Sequence, residues 1–378
     1  MSTEDILRTL IGFPSICGTP NGDIIGWIEE FLAGIGARVR RVAGDRPDAF
    51  SLFASLGPDG PGGIVLSAHS DVVPVAGQNW STDPFTLSGQ EDRLYGRGSS
   101  DMKGFLACML TAAAKASART LRRPLHLAIS YDEELGCLGV RSLLRDLKEN
   151  GLEAGGCIVG EPTGMRVATA HKGKISFRIR CTGRAAHSAS PFEGINAISL
   201  AAGMVQELGR LQTYIRDTET HDTRFTVPFS TVQAGLIEGG AALNIVPEHC
   251  SVMAEMRLLP GQDGAGYLER LREASRSVIS SVGGGEILIE VENAYPGLNS
   301  SRNTEICTLV LHETGRNETD VINFGTEAGL FEEQLSLACV VCGPGSIGRA
   351  HKADEYITRE ELLQGDRFLE GVLDRLCR

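Results

Sequence analysis

The sequence contains no uninterrupted apolar run near the ~18 residues of a membrane span. Its opening segment, MSTEDILRTL, is acidic and lacks the apolar stretch of a secretory leader. Neither export nor membrane insertion is expected, and a cytoplasmic location is. Positive charge is in deficit: Lys+Arg number 36 against 48 Asp+Glu, for a formal net charge of −12. That balance argues against a general affinity for nucleic acid or anionic membrane. It leaves room for a local cation site, a carboxylate cluster or a small-molecule substrate. No GxxxxGK[ST] phosphate loop and no GxSxG elbow occurs, which weighs against nucleotide and serine-hydrolase chemistry. Internal repeats and low-complexity tracts are also missing. The ten cysteines are scattered through apolar stretches, without the spacing of a disulfide framework or paired zinc sites. Reduced, mostly buried thiols are expected. The one Cys-x-x-Cys, Cys339 to Cys342, lies in LACVVCGPG, which reads as a strand.

What is present is an ordinary globular composition: 378 residues, 42% hydrophobic, 22% charged, with 46 glycines that suggest many tight turns. At roughly 100–200 residues per domain, two or three domains are expected. Helical spacing appears at 3–12 and 21–34, the second with Ile24, Ile25, Ile28, Phe31 and Leu32 on one face and Asn21 as its expected N-cap. GGIVLSAHSDVV, LHLAISYD and GCIVGEPT read as buried strands ending in polar residues, separated by helices at 102–118 and 139–151. This alternation predicts an α/β, mostly parallel-sheet domain whose ligands bind at the carboxyl ends of its strands. Near residue 174 the pattern changes. KISFRIRCTG alternates like an antiparallel strand, with Ile175, Phe177, Ile179 and Cys181 on one face. Elements then follow in the order β-α-β-β-α-β, the ferredoxin-like α+β arrangement. After residue 294 the α/β style returns. The expectation is a catalytic domain of 1–173 and 295–378, with 174–294 inserted into it.

Metal-ligand residue types recur at strand ends or in adjoining loops. His69 and Asp71, in AHSDVV, project to the same side. Asp101 stands in GRGSSDMKG, Glu161 in VGEPT and His351 in GPGSIGRAH. Asp132, Glu133 and Glu134 put three acids in a row after a buried strand, which is costly unless cations neutralise them. Each has a plainer reading: a satisfied polar residue, a solvated turn, an N-cap at Asp132. Together they offer two histidines and several carboxylates from one sheet. That mixed N/O set suits Zn²⁺, with Co²⁺ or Mn²⁺ as substitutes.

With SAHSDVVP, YGRGSSDMKGFLA, ISYDEELGCLG, IVGEPT, AAHSASPFEGINAI, NFGTEAGLFEE and GPGSIGRAHKADEYI in place, the chain resembles the dinuclear-zinc M20 family of amidohydrolases and exopeptidases over its whole length. The resemblance implies two Zn²⁺ per chain. His69 and Glu161 would hold one and Glu134 and His351 the other, with Asp101 bridging, Asp71 orienting His69 and Glu133 as general base. It implies that His187, in GRAAHS, stabilises an oxyanion from the inserted domain of a second copy, so a homodimer through that domain. His187 is otherwise a polar loop residue. An N-acyl amino acid substrate follows, with Arg257 (a salt-bridge residue in the alternative), Asn244, Lys172, Thr326 and Glu327 as binding candidates. The Gly325-Thr326-Glu327-Ala328 segment resembles the acetylornithine branch, and charge complementarity suggests Glu327 as the partner of a substrate ammonium. The same motifs fit siblings that cleave N-succinyl-diaminopimelate, other N-acyl amino acids or glutamate-ended peptides. A binding relative without catalysis is opposed by the presence of every ligand and the base.

Overall fold

In the computed structural model, which describes residues 1–378, the chain divides into two compact units. One comprises Met1–Ala170, Leu298–Ile322 and Thr326–Arg378; the other comprises His171–Gly297 with Asn323–Gly325.

The first unit is built on a nine-stranded sheet. Its order is Arg38–Ala43, Phe50–Leu56, Leu125–Ser130, Gly63–His69, Ala154–Val159, Cys339–Val341, Ala168–His171 and Leu298–Asn299, with Asp320–Ile322 also pairing on Ala168–His171. Every residue of Gly63–His69 and Leu125–Ser130 is buried. Such strands read as continuous apolar runs because helices cover both faces of the sheet. Helix Lys103–Ser117 is buried on nearly all sides, and its alanines let it lie between strands and the flanking helices Thr3–Ile11 and Arg359–Leu376. Those two outer helices each open with a capping box, Ser2 with Asp5 and Thr358 with Glu361. Each such cap stabilises its helix by about 1 kcal/mol.

The expected mostly parallel sheet needs correction. Parallel pairing joins the four central strands, 125–130, 63–69, 154–159 and 339–341. Arg38–Ala43 and Phe50–Leu56 add on antiparallel at one side, and Cys339–Val341 meets Ala168–His171 antiparallel at the other. The cause is connection length: a short loop returns a strand antiparallel, whereas parallel neighbours need a crossover. Asn21 stands at the N-cap of helix Gly22–Gly34, where its carbonyl accepts the Ile25 N–H (3.1 Å), but its side chain does not cap the helix. Its amide exchanges two hydrogen bonds with Phe50, Nδ2 donating to the carbonyl (2.8 Å) and Oδ1 accepting the N–H (2.9 Å).

The second unit is a four-stranded antiparallel sheet in the order Thr231–Gly239, His249–Leu258, Gly173–Thr182, Glu286–Tyr295. Helices Ala197–Thr218 and Gly264–Val282 supply Leu200, Met204, Leu208, Leu268 and Leu271 to a core with Phe177, Ile179 and Cys181. Thr231–Gly239 is an edge strand on which Leu236 and Ile237 are exposed. All ten cysteines are free, with only Cys17 and Cys377 not fully buried. No helix is long and apolar enough to cross a membrane.

Candidate metal centre

The parallel ladders bring the polar strand ends to one edge. His69 is the register partner of Ser130, three residues before Glu133, and Ser67 is the partner of Val159, two residues before Glu161. Two glycines shape this edge. A Cβ on Gly160 would lie 1.9 Å from Phe105, so only glycine lets that strand end approach the helix. Gly98, at φ 81°, turns the loop that presents Asp101, and a Cβ there would lie 2.6 Å from Val72.

His69, Asp101, Glu133, Glu134, Glu161 and His351 converge here, all within the first unit. His69 is buried and directs Nε2 at Asp101 Oδ1 (3.2 Å) and Glu161 Oε1 (3.9 Å). The other carboxylate oxygen of Asp101 lies 3.4 Å from His351 Nε2, which is 3.0 Å from the Glu134 carboxylate. Ligand atoms of His69, Glu133 and Glu161, and of His69, Asp101 and Glu134, form two sets close enough to share an ion. His69 Nδ1 lies 3.0 Å from the Asp71 carbonyl, which can only accept. A neutral ring therefore carries its proton on Nδ1, which frees the Nε2 lone pair for a ligand.

Asp71 thus holds His69 mainly by its main chain, with its carboxylate at 3.5 Å. That carboxylate instead accepts the backbone N–H groups of Glu133 and Glu134, each at 3.2 Å. The N-cap reading of Asp132 falls. At φ 48° it accepts the Gly18 N–H (2.7 Å) and pairs with Arg46 (3.3 Å), well ahead of helix Val140–Glu149.

The electrostatics call for positive charge. Burial pushes Glu133, Glu134 and Glu161 up from the usual carboxylate range, and neighbouring acids add to it. Burial opposes charge on His69, but the Asp101 and Asp71 carboxylates hold it well above its ordinary value. The Asp101 and Glu134 bonds raise His351 to about 10. Asp101 resists its burial and stays low through His351 and His69. Two imidazoles and four carboxylates of this kind fit divalent cations by donor chemistry.

Glu327 and Thr326 belong to the same unit and are fully buried. Glu327 Oε2 accepts from Ser67 (3.3 Å), and Oε1 has no partner. Burial raises this carboxyl to about 7. Thr326 Oγ1 accepts the Ala328 N–H.

The remaining expected residues lie in the second unit. His187 is exposed, and its Nδ1 accepts the Ala189 N–H (3.1 Å), which leaves Nε2 as a donor in the neutral ring. Exposed Asn244 stands beside it, its carbonyl accepting from Ser188 (3.1 Å). Arg257 forms the salt bridge of its alternative reading, to Glu255 at 2.6 Å, and reaches the Tyr295 hydroxyl at 3.4 Å. Lys172 donates to the carbonyls of Val227 (2.9 Å) and Phe229 (2.5 Å), so it tethers that segment.

Sequence reasoning missed Glu355, Arg97, Gln78 and Cys137. Glu355 accepts the N–H of Asp101, and the Cys137 thiol donates to Glu133 Oε1 at 3.3 Å. Only Glu355's place in HKADEYI, four residues after His351, hinted at a role.

Comparison with known proteins agrees. The family model described as Peptidase family M20/M25/M40 matches residues 65–375. An acetylornithine deacetylase of Yersinia pseudotuberculosis is 32% identical over 385 aligned residues, covering 99% of this chain and 97% of the relative. A metallo-carboxypeptidase from Sulfolobus solfataricus shares the fold at a TM-score of 0.80 and 19% identity, covering 100% of this chain and 99% of its own. A dinuclear metal-binding peptidase from Bacillus subtilis does so at 0.70 and 14%, with 99% and 97% covered.

Proposed function

Because the chain belongs to peptidase family M20/M25/M40, whose members here are metal-dependent hydrolases, we propose that it removes the acetyl group from N²-acetyl-L-ornithine. The products are L-ornithine and acetate, in a step of cytoplasmic arginine biosynthesis. The observation that carries this reading is the convergence of His69, Asp101, Glu134, Glu161 and His351 around Asp101, with Glu133 beside them. The name of the Yersinia relative supplies the substrate.

His69 and Glu161 would hold one Zn²⁺ and Glu134 and His351 a second, with Asp101 shared between them. The two oxygens of Asp101 face the two imidazoles separately, which supports that sharing. Co²⁺ and Mn²⁺ accept the same donors. When bound, such cations lower the pKa of water and polarise the scissile carbonyl. Glu133 takes the proton of the attacking water and hands it to the leaving amine, a task suited to a carboxyl raised by burial. Asp71 keeps the Glu133–Glu134 backbone in place. His187 donates Nε2–H to the developing oxyanion. Arg257 and Asn244 bind the substrate carboxylate, Lys172 and Thr326 shape the cleft, and the unpartnered oxygen of Glu327 receives the ornithine ammonium.

Residues 174–294 are proposed as a ferredoxin-like lid and dimerisation domain, with 1–173 and 295–378 as the catalytic domain. His187 would then act on the second copy's centre. The open edge strand with exposed Leu236 and Ile237 supports a homodimer, because such an edge invites a partner strand. The test is a panel of N-acyl amino acids with metal-replete protein. Fastest turnover of N²-acetyl-L-ornithine is expected, and faster turnover of N-succinyl-diaminopimelate would replace this substrate.

A further inference from the structure

The two halves of the centre are supported differently. His69 and the Glu161 turn end buried strands whose ladders hold them. His351 lies in a loop, on left-handed backbone at φ 62°, with its side chain 51% exposed. Asp101, which faces it, is also on a loop. Nothing in the sheet sets these two against each other.

A buried side-chain cluster does. Glu355 is 1% exposed. One of its oxygens accepts the N–H groups of Ser100 (2.9 Å) and Asp101 (3.0 Å). The other accepts the Gly98 N–H (3.0 Å) and the Arg97 guanidinium (2.6 Å). Arg97, also 1% exposed, reaches the Lys352 carbonyl (3.2 Å) and the Gln78 amide oxygen (2.5 Å). Gln78 closes the circuit by donating Nε2 to the carbonyl of His351 (2.9 Å). Trp80 orients Gln78 through Nε1 (3.1 Å). The Asp101 loop and the His351 loop are thus tied through one guanidinium, one carboxylate and one amide.

We propose that Glu355, Arg97 and Gln78 are positioning residues that set the His351 loop against Asp101, and so govern the affinity of the Glu134–His351 half of the centre more than that of the His69–Glu161 half, which shares only Asp101 with it. None of the three touches a reacting atom. Outer partners of this kind typically change metal affinity by about 10–100-fold when removed. The inference rests on the two-cation reading of the centre. A purely structural cluster would weaken both halves together or neither.

The test is titration of chelator-stripped full-length protein with Co²⁺, followed by calorimetry and by visible absorption. Wild type is expected to take up two ions and His351→Ala one. Gln78→Ala, at a half-buried position, should stay folded and still take up two ions. The ion that His351→Ala lacks should bind it about 10-fold or more weakly, and the other ion as in wild type. In the His351→Ala background, Gln78→Ala should change nothing, because the element it steadies is already gone. Glu355→Gln, which also loosens Asp101 itself, should weaken binding of the ion that His351→Ala lacks more strongly, and of the other ion less; if circular dichroism finds it unfolded, Gln78→Ala decides. Wild-type affinity for both ions in Gln78→Ala overturns the proposal, and so does further weakening in the His351→Ala background. Two ions in wild type with either of these results leaves the two-cation reading standing. Fewer than two in wild type overturns both.

Discussion

The carboxylate of Asp71 accepts the backbone N–H of Glu133 at 3.2 Å, and its second oxygen accepts that of Glu134 at the same distance. An acid expected to orient a histidine therefore also fastens the segment carrying the base and a ligand. An amide at this position can accept only through its oxygen, so Asp71→Asn loses one of the two bonds. Turnover is expected to fall about 10–100-fold, with a smaller change in KM. Steady-state kinetics on N²-acetyl-L-ornithine check this; unchanged kcat would confine Asp71 to holding His69.

Glu133 has no closer partner than the Cys137 thiol, at 3.3 Å, which leaves its carboxylate available for proton transfer. Glu133→Ala is expected to keep the bound metal and to lose about 10²–10⁴-fold in kcat. Metal analysis beside the kinetics separates the roles. Loss of metal would make Glu133 a ligand, and near-normal turnover would assign the base elsewhere.

Glu327 is fully buried, and one of its oxygens has no partner. A substrate ammonium would satisfy it. Glu327→Gln is expected to raise KM for N²-acetyl-L-ornithine about tenfold or more, as for a hydrogen bond to a charged group. KM for N-acetylmethionine, which has no side-chain ammonium, should be little changed. Full activity with unchanged KM on both would remove Glu327 from recognition.

His126 lies away from the centre, buried at the opposite end of its strand from Ser130, with Nδ1 2.8 Å from Ser55 Oγ and its ring stacked on Phe53. Burial, with Arg38 nearby, lowers its pKa from 6.5 to about 4. The folded chain keeps it neutral while the unfolded chain protonates it near 6.5. Below that pH the unfolded state binds more protons, so stability falls as pH drops from 6.5 to about 4. The loss is about 3 kcal/mol at ~1.36 kcal/mol per pH unit. His126→Phe, which retains the stacking, should show a correspondingly flatter fall in unfolding free energy over that window. Equal slopes would contradict it.

The candidate site was legible because parallel strands align their carboxyl ends: polar residues ending GIVLSAH, LHLAIS and GCIV had to gather at one edge. His351 was marked only by its residue type, since it lies ten residues beyond the end of strand Cys339–Val341 in a loop without period, and its pairing with Glu134 came from the family resemblance. The antiparallel strand Arg38–Ala43 escaped notice because RVRRVA carries three arginines on a largely exposed edge. Glu355 and Arg97 carry no periodic signal in the sequence and form a buried pair, which only folding of the two loops onto each other creates. The two carbonyls that take the Lys172 ammonium, those of Val227 and Phe229, are hidden by sequence distance.

The central claim is that His69, Asp101, Glu134, Glu161 and His351 make the chain a two-cation deacetylase of N²-acetyl-L-ornithine. It is tested most directly by ornithine release from chelator-stripped protein as Zn²⁺ is added back. Release should be negligible without metal, rise as up to two equivalents per chain are bound, and then level off. Ornithine release that survives complete removal of metal, or that stays absent with two ions bound, would contradict it.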